Sequence, residues 1–157
     1  MIRDYEPGRH RDRLRSCIVE LQEFERGLEP ALPRGEEMAD AYLAFLLKRC
    51  SEADGRVLVA EVDHVVVGFV GVLAKVAPTE PDDDPMPYAY ISDLVVLPRY
   101  RQRGIGRALL AQAEAFARSS GARILRVGVL AKNDPAARLY RAIGFSDYQV
   151  QLVKRLC

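Results

Sequence analysis

Apolar residues change their period several times along the chain, and each change marks an element. Leu14, Cys17, Ile18, Leu21 and Phe24 recur at the spacing of one helical face and predict a helix from about Arg9 to Arg26, ended by Gly27. Pro30 and Pro33 break the chain, after which Ala39, Leu43 and Leu46 predict a second helix from Glu36 to about Arg49, closed by Asp54-Gly55. A short strand over Met1–Tyr5 precedes both. Val57–Val62 and Val65–Ala74 are rich in β-branched residues and separated by Asp63-His64, the gap of a tight hairpin. Gly68 and Gly71 mark a bulge or a close backbone approach in the second of these strands.

Pro78–Pro87 is a loop, and Tyr88–Leu97 reads as a strand stopped by Pro98. Gly106 opens a helix carrying Leu109, Leu110, Ala113, Phe116 and Ala117 that stops at Gly121. Ile124–Leu130 is then a buried strand, and Asp134–Ile143 is a helix with Pro135 in its first turn and Gly144 past its end. A last strand is expected over Tyr148–Val153. The order describes one α/β domain over residues 1–157, a mixed sheet flanked by helices.

Composition narrows the classes. Lys plus Arg at 23 against Asp plus Glu at 22 gives a net charge of +1, so no global basic field argues for nucleic acid or an acidic membrane. Cys17, Cys50 and Cys157 are odd in number and never in a Cys-x-x-Cys pair, which suggests neither a disulfide framework nor a zinc site. No metal cluster is expected. The first residues lack the apolar run of a signal peptide, and Val65–Ala74 is about half of a membrane span, so a cytoplasmic location is expected.

The richest stretch runs from Leu94 to Leu110: a buried strand, a basic loop and a helix start. Glycines at such a turn let backbone N–H groups converge, and the first turn of a helix offers free donors and a positive dipole end. Arg99, Arg101, Arg103 and Arg107 crowd the same turn with cationic donors suited to phosphate oxygens. There is no Gly-Lys-Ser/Thr ending, and the third position of Gly-x-Gly-x-x-Gly is Leu109, so neither the P-loop nor the dinucleotide fingerprint is complete. Taken alone, the loop is either an anion site or a tight strand–helix connection with solvated arginines.

Arg101-x-x-Gly104-x-Gly106, preceded by Asp93-Leu94-Val95-Val96 and followed by Asn133-x-x-Ala136-x-x-Leu139-Tyr140-x-x-x-Gly144-Phe145, resembles the GNAT superfamily of acetyl-CoA-dependent N-acetyltransferases. The resemblance covers the C-terminal half closely and the N-terminal half in element order. It implies a splayed sheet in which the pantetheine arm of acetyl-CoA enters between the Tyr88–Leu97 and Ile124–Leu130 strands. It also implies that the backbone of Arg101, Gln102, Arg103, Gly104, Ile105, Gly106 and Arg107 holds the pyrophosphate, and that the backbone of Leu94, Val95 and Val96 pairs with the arm like an added strand. Asn133 matches a residue that bonds the cofactor arm in the family; as a residue near Pro135 it equally suits a helix N-cap. Dimers are common in the family, and the Leu152-Val153 pair of the last strand offers an interface for a homodimer.

The implied activity is direct transfer of an acetyl group to a primary amine of a small molecule or peptide, with a catalytically idle acyl-CoA-binding domain as the alternative. Amide formation needs a neutral amine, a polarised carbonyl and a stabilised leaving thiolate. Tyr140 matches the family tyrosine that can protonate the sulfur. Asp93 alternates with Leu94 on its strand, so if Leu94 and Val96 face the core, Asp93 faces the acceptor side as candidate base. A backbone N–H near Val95 is the candidate for polarising the carbonyl. Glu61 and Glu23 are weaker bases, with solvated surface positions as their default, and the same default applies to His10 and His64. Glu80, Asp82, Asp83 and Asp84 either form a solvated loop or draw a cationic acceptor. Tyr88, Tyr90, Phe24 and Phe45 suit either a pocket wall or core packing.

Overall fold

The computed structural model describes residues 1–157. After the short strand β1 (Ile2–Asp4), two helices pack together, α1 (Pro7–Leu28) and α2 (Gly35–Glu52). Pro7 opens α1 where a missing N–H leaves no bond unmade. Glu23 Oε1 accepts the Gly35 N–H at 2.8 Å, so a side chain of α1 caps α2. Glu23 is thereby a brace between helices, also bonded to Arg26 at 2.6 Å, and is removed from the candidate bases.

The sheet has the order β1-β2-β3-β4-β5, with β2 at Arg56–Val62, β3 at Val65–Val76, β4 at Tyr88–Val96 and β5 at Leu125–Val127. The first four strands are antiparallel neighbours, and β5 runs parallel to β4. The β2–β3 hairpin turns on Asp63 and His64, both at positive φ (51° and 64°), the geometry of a type I′ turn. Helix α3 (Ile105–Ser119) joins β4 to β5, and α4 (Asp134–Ala142) follows β5. Leu14, Ile18, Leu43 and Leu46 pack on one sheet face against Val59, Phe69, Leu73 and Val95; Leu109, Leu110, Ala113 and Tyr140 pack on the other against Val67, Val70, Val72 and Ile91. No helix is long and apolar enough to cross a membrane.

A bulge in β4 sets the chemistry of this scaffold. Gly71 pairs with Asp93 but Val72 pairs with Ile91, so Ser92 is an extra residue. Simple alternation from Ile91 would send Asp93 to the α3–α4 face; the extra residue turns Asp93 and Val95 toward α1 and α2, leaving Leu94 and Val96 on the α3–α4 side. Gly71 makes room for this, because a Cβ there would collide with Ser92 Oγ and lie 3.4 Å from Asp93 Oδ2. At Gly68 a Cβ would stand 2.5 Å from the Val95 carbonyl oxygen and 3.2 Å from the Val96 Cα, both backbone atoms that cannot rotate away. Gly68→Ala should therefore cost about 1–3 kcal/mol, seen as a lower urea midpoint; an unchanged midpoint would show that β3 and β4 separate freely here.

Two expected strands are corrected. The Ile124–Leu130 strand shrinks to Leu125–Val127 and is only half-buried, because β4 pairs with it only through Ala89–Ile91, before the bulge. Tyr148–Val153 forms no strand at all, and Leu152 is 88% exposed. Its β-forming composition finds no ladder to join; ion pairs tether its flanks instead, with Arg141 holding Asp147 at 3.0 Å and Arg155 reaching Glu29 at 3.5 Å.

Candidate active site

Past β4 the chain makes a single turn of 3-10 helix at Pro98–Tyr100 and enters the basic loop. Gln102 and Gly104 both take positive φ (60° and 82°), and Gly104 is the N-cap of α3. Backbone bonds resume at Ala108, whose N–H reaches the Gly104 carbonyl at 3.0 Å. Between them the amides of Gln102, Arg103, Gly104, Ile105, Gly106 and Arg107 donate to no acceptor in the chain. Consecutive free amides at a helix N-terminus form an anion cradle. Arg99, Arg101, Arg103 and Arg107 are exposed around it and make no ion pair, while Arg101 donates from Nε to the Val96 carbonyl at 2.8 Å and lies 5.5 Å from the Phe24 ring.

The cradle opens onto a gap in the sheet. The Leu97 N–H donates to the Val67 carbonyl at 2.8 Å, which with the β3–β4 register directs the backbone groups of Asp93 and Val95 to Gly71 and Phe69. Leu94 and Val96 turn theirs the other way, where no strand pairs with β4 beyond Ile91. The free backbone groups of β4 thus belong to Leu94 and to the N–H of Val96, whose carbonyl takes the Arg101 side chain, while Val95 spends its own on β3.

Asp93 lies on the α1–α2 side in a cleft of about 160 Å³ lined by Ile18, Leu21, Met38 and Tyr42, together with Glu25 and Ser92. The Tyr42 hydroxyl donates to Asp93 Oδ1 at 2.6 Å, whereas Oδ2 and Ser92 Oγ are buried without partners. Burial pushes the Asp93 carboxyl above its ordinary range, against the opposing pulls of the Tyr42 and Ser92 hydroxyls and the Arg49 charge. Glu25 is likewise raised, first by burial and then by the Asp93 charge. Asp93 is only 8% exposed, so an anion here is costly.

Tyr140 stands on α4, on the other face of the sheet, within range of the Asp93 charge. Gly144 ends that helix at φ 108°, with the Gly144 N–H bonded to the Arg141 carbonyl and the Phe145 N–H to the Tyr140 carbonyl, a Schellman motif. Its characteristic apolar contact is the Tyr140–Phe145 ring pair, edge to face at 5.7 Å, so Gly144-Phe145 holds the Tyr140 ring in place. The Tyr140 hydroxyl is pushed up to about 12 by burial, then by Asp93 and Glu25, and so stays protonated through neutral pH. At the other end of α4, Asn133 Oδ1 accepts the Ala136 N–H at 3.3 Å, the N-cap role.

Several expected positions fall elsewhere. His10, expected in solvent, is 1% exposed; its Nδ1 accepts the Glu6 N–H at 2.9 Å, which leaves the proton on Nε2 for Glu61 Oε1 at 3.1 Å. Glu61 is likewise buried rather than solvated, with Arg9 at 3.2 Å, and lies in this network away from the cleft. Burial opposes its ionisation, but the His10 bond and the charges of Arg9 and Arg3 outweigh it and hold the carboxyl below its ordinary value. None of Glu80, Asp82, Asp83 and Asp84 lines the cleft; Asp83 and Asp84 instead bond local N–H groups in their turn, both at 2.9 Å. Phe45 and Tyr90 stack with Arg49, and Tyr88 with Arg126, so these aromatics hold arginines. Tyr42 and Glu25 were not singled out from the sequence, although each sits on its helix's apolar stripe: Glu25 follows Leu21 by one turn, and Tyr42 precedes Leu46 by one.

An anion cradle thus stands beside a strand whose outward backbone groups no other strand pairs. Residues 19–145 match the acetyltransferase (GNAT) family, and the chain belongs to that family. It is 31% identical over 83% of its length to an uncharacterized N-acetyltransferase of Methanocaldococcus jannaschii, and spans 58% of that relative. It is also 30% identical to an N-alpha-acetyltransferase of Sulfurisphaera tokodaii, over 68% of this chain and 65% of the other. Among solved structures, an aminoglycoside N-acetyltransferase in complex with CoA superposes with a TM-score of 0.69 over all of both chains at 21% identity.

Proposed function

We propose that the protein transfers the acetyl group of acetyl-CoA directly to a primary amine of a small molecule or peptide. The observation that carries this reading is the pairing of Asp93, in its cleft on one face of the sheet, with Tyr140 on the other, near enough for the Asp93 charge to act on the phenol. The chain fits the cosubstrate: the amides of Gln102–Arg107, with the side chains of Arg101, Arg103 and Arg107, would hold the pyrophosphate, and Leu94 and Val96 the pantetheine amides, with Asn133 flanking them. Acetyl-CoA, when bound, supplies an activated thioester. Asp93 accepts the proton released as the acceptor nitrogen forms its bond to the acetyl carbon, and its raised basicity suits it to that step. Tyr42 holds the carboxylate in register. The Tyr140 hydroxyl donates its proton to the sulfur as the carbon–sulfur bond breaks, so one amide and one thiol leave. A free N–H on Leu94 or Val96 polarises the acetyl oxygen.

Acceptor-dependent release of thiol from acetyl-CoA across a panel of primary amines, with the N-acetyl product identified by mass spectrometry, tests the reading. Binding without turnover for every amine would instead identify an acyl-CoA-binding domain. Gly104→Val places a β-branched residue at φ 82° inside the cradle and should weaken coenzyme A binding at least about tenfold by calorimetry. Unchanged affinity would remove the amides of this turn from the site.

A further inference from the structure

The cleft beside Asp93 carries more negative charge than the proton transfer requires. Glu25 lines the same space, half-buried, and its carboxylate makes neither an ion pair nor a hydrogen bond, in contrast to Glu23 two residues earlier. The charge that acts on it is Asp93, of like sign. Arg49 is the cation that acts on Asp93, yet it forms no ion pair and stays over the Phe45 and Tyr90 rings at 5.4 and 5.7 Å. Asp93 Oδ2 and Ser92 Oγ are buried in the same place without partners. Two carboxylates that repel each other, neither paired with a cation of the chain, are a standing cost to the fold, and a cationic ligand is what offsets it.

One ammonium group accounts for half of this. Its donors match Asp93 Oδ2 and Ser92 Oγ; it sheds one proton to solvent to become the neutral amine, and Asp93 takes the second as the amide forms. Glu25 is left over, and it answers to a second positive charge. Between the two ends lie Ile18, Leu21 and Met38, apolar side chains suited to methylene groups. The volume of about 160 Å³ is close to that of cavities that hold about six carbon atoms. We propose that the acceptor carries a second cationic group on a short aliphatic stem, and that Glu25 is the residue that selects for it. The proposal rests on the transferase reading and names the class of amine for the same site.

The test compares a four-carbon diamine with the four-carbon monoamine as acceptors for the full chain. The intact protein should favour the diamine in kcat/KM by at least about tenfold. In Glu25→Gln the ratio should fall to near one through a higher KM for the diamine, and Glu25→Asp should restore part of it. Equal kcat/KM for the two amines in the intact protein, or a preference that survives Glu25→Gln, overturns the proposal. Asp93→Asn separates the two readings, since it should impair both amines alike whether or not Glu25 selects between them. Should neither amine turn over, the transferase reading fails at these acceptors, and calorimetric titration of the diamine into the coenzyme A-loaded protein decides the selection. Binding that Glu25→Gln weakens at least about tenfold upholds it; no binding, or binding indifferent to Glu25→Gln, overturns it.

Discussion

Asp93→Asn should lower kcat/KM for the amine by about a hundredfold to ten-thousandfold and at the same time make the protein more stable at neutral pH. The amide keeps an oxygen for the Tyr42 hydroxyl, now 2.6 Å from Oδ1, so the cleft keeps its shape while losing its base. The stability gain follows from the sign of the shift. Burial raises the Asp93 pKa in the folded protein above the ordinary 3.8, so its contribution is fully present below 3.8 and is lost as pH rises through the folded value. At neutral pH the folded chain therefore bears a cost at Asp93 that the unfolded chain does not, and asparagine removes it. Thermal melts should show a higher Tm for the variant at neutral pH and a gap that closes below about pH 3.8. A variant less stable at neutral pH would mean that the carboxylate holds the fold together.

Tyr140→Phe should reduce kcat by about a hundredfold or more and leave coenzyme A affinity close to its original value. The hydroxyl makes no hydrogen bond within the chain, so its removal breaks nothing in the fold. The ring keeps its edge contact with Phe145, and the Schellman turn at Gly144 continues to place it. What disappears is a proton held at a pKa of about 12, available through the neutral range to a departing sulfur. Single-turnover thiol release with saturating amine isolates that step, and a rate equal to the unaltered protein's would remove Tyr140 from the chemistry.

Much of this was legible along the chain because it is local. The helical period of Leu14 to Phe24, the Asp63-His64 hairpin and the glycine–arginine turn each declare themselves within a few residues. Gly144-Phe145 was legible as part of a motif, and the structure adds its physical purpose in fixing Tyr140. The orientation of Asp93 was anticipated from its contrast with Leu94 and Val96, but the cause lies in the extra residue Ser92, which is visible only against β3. Pairings across the chain stayed hidden for the same reason. His10 meets Glu61 from 51 residues away, and Tyr42 meets Asp93 from the same separation. Tyr148–Val153 carries the composition of a strand, yet a strand requires a ladder to join.

The pH dependence of kcat/KM for acceptor-dependent thiol release, in the unaltered protein and in Asp93→Asn, bears most directly on the central claim that Asp93 is the base. The unaltered protein should show an acidic limb titrating above the ordinary carboxylate range, as burial of Asp93 requires, and the variant should lack that limb. The same limb at the same pH in both proteins would contradict the assignment.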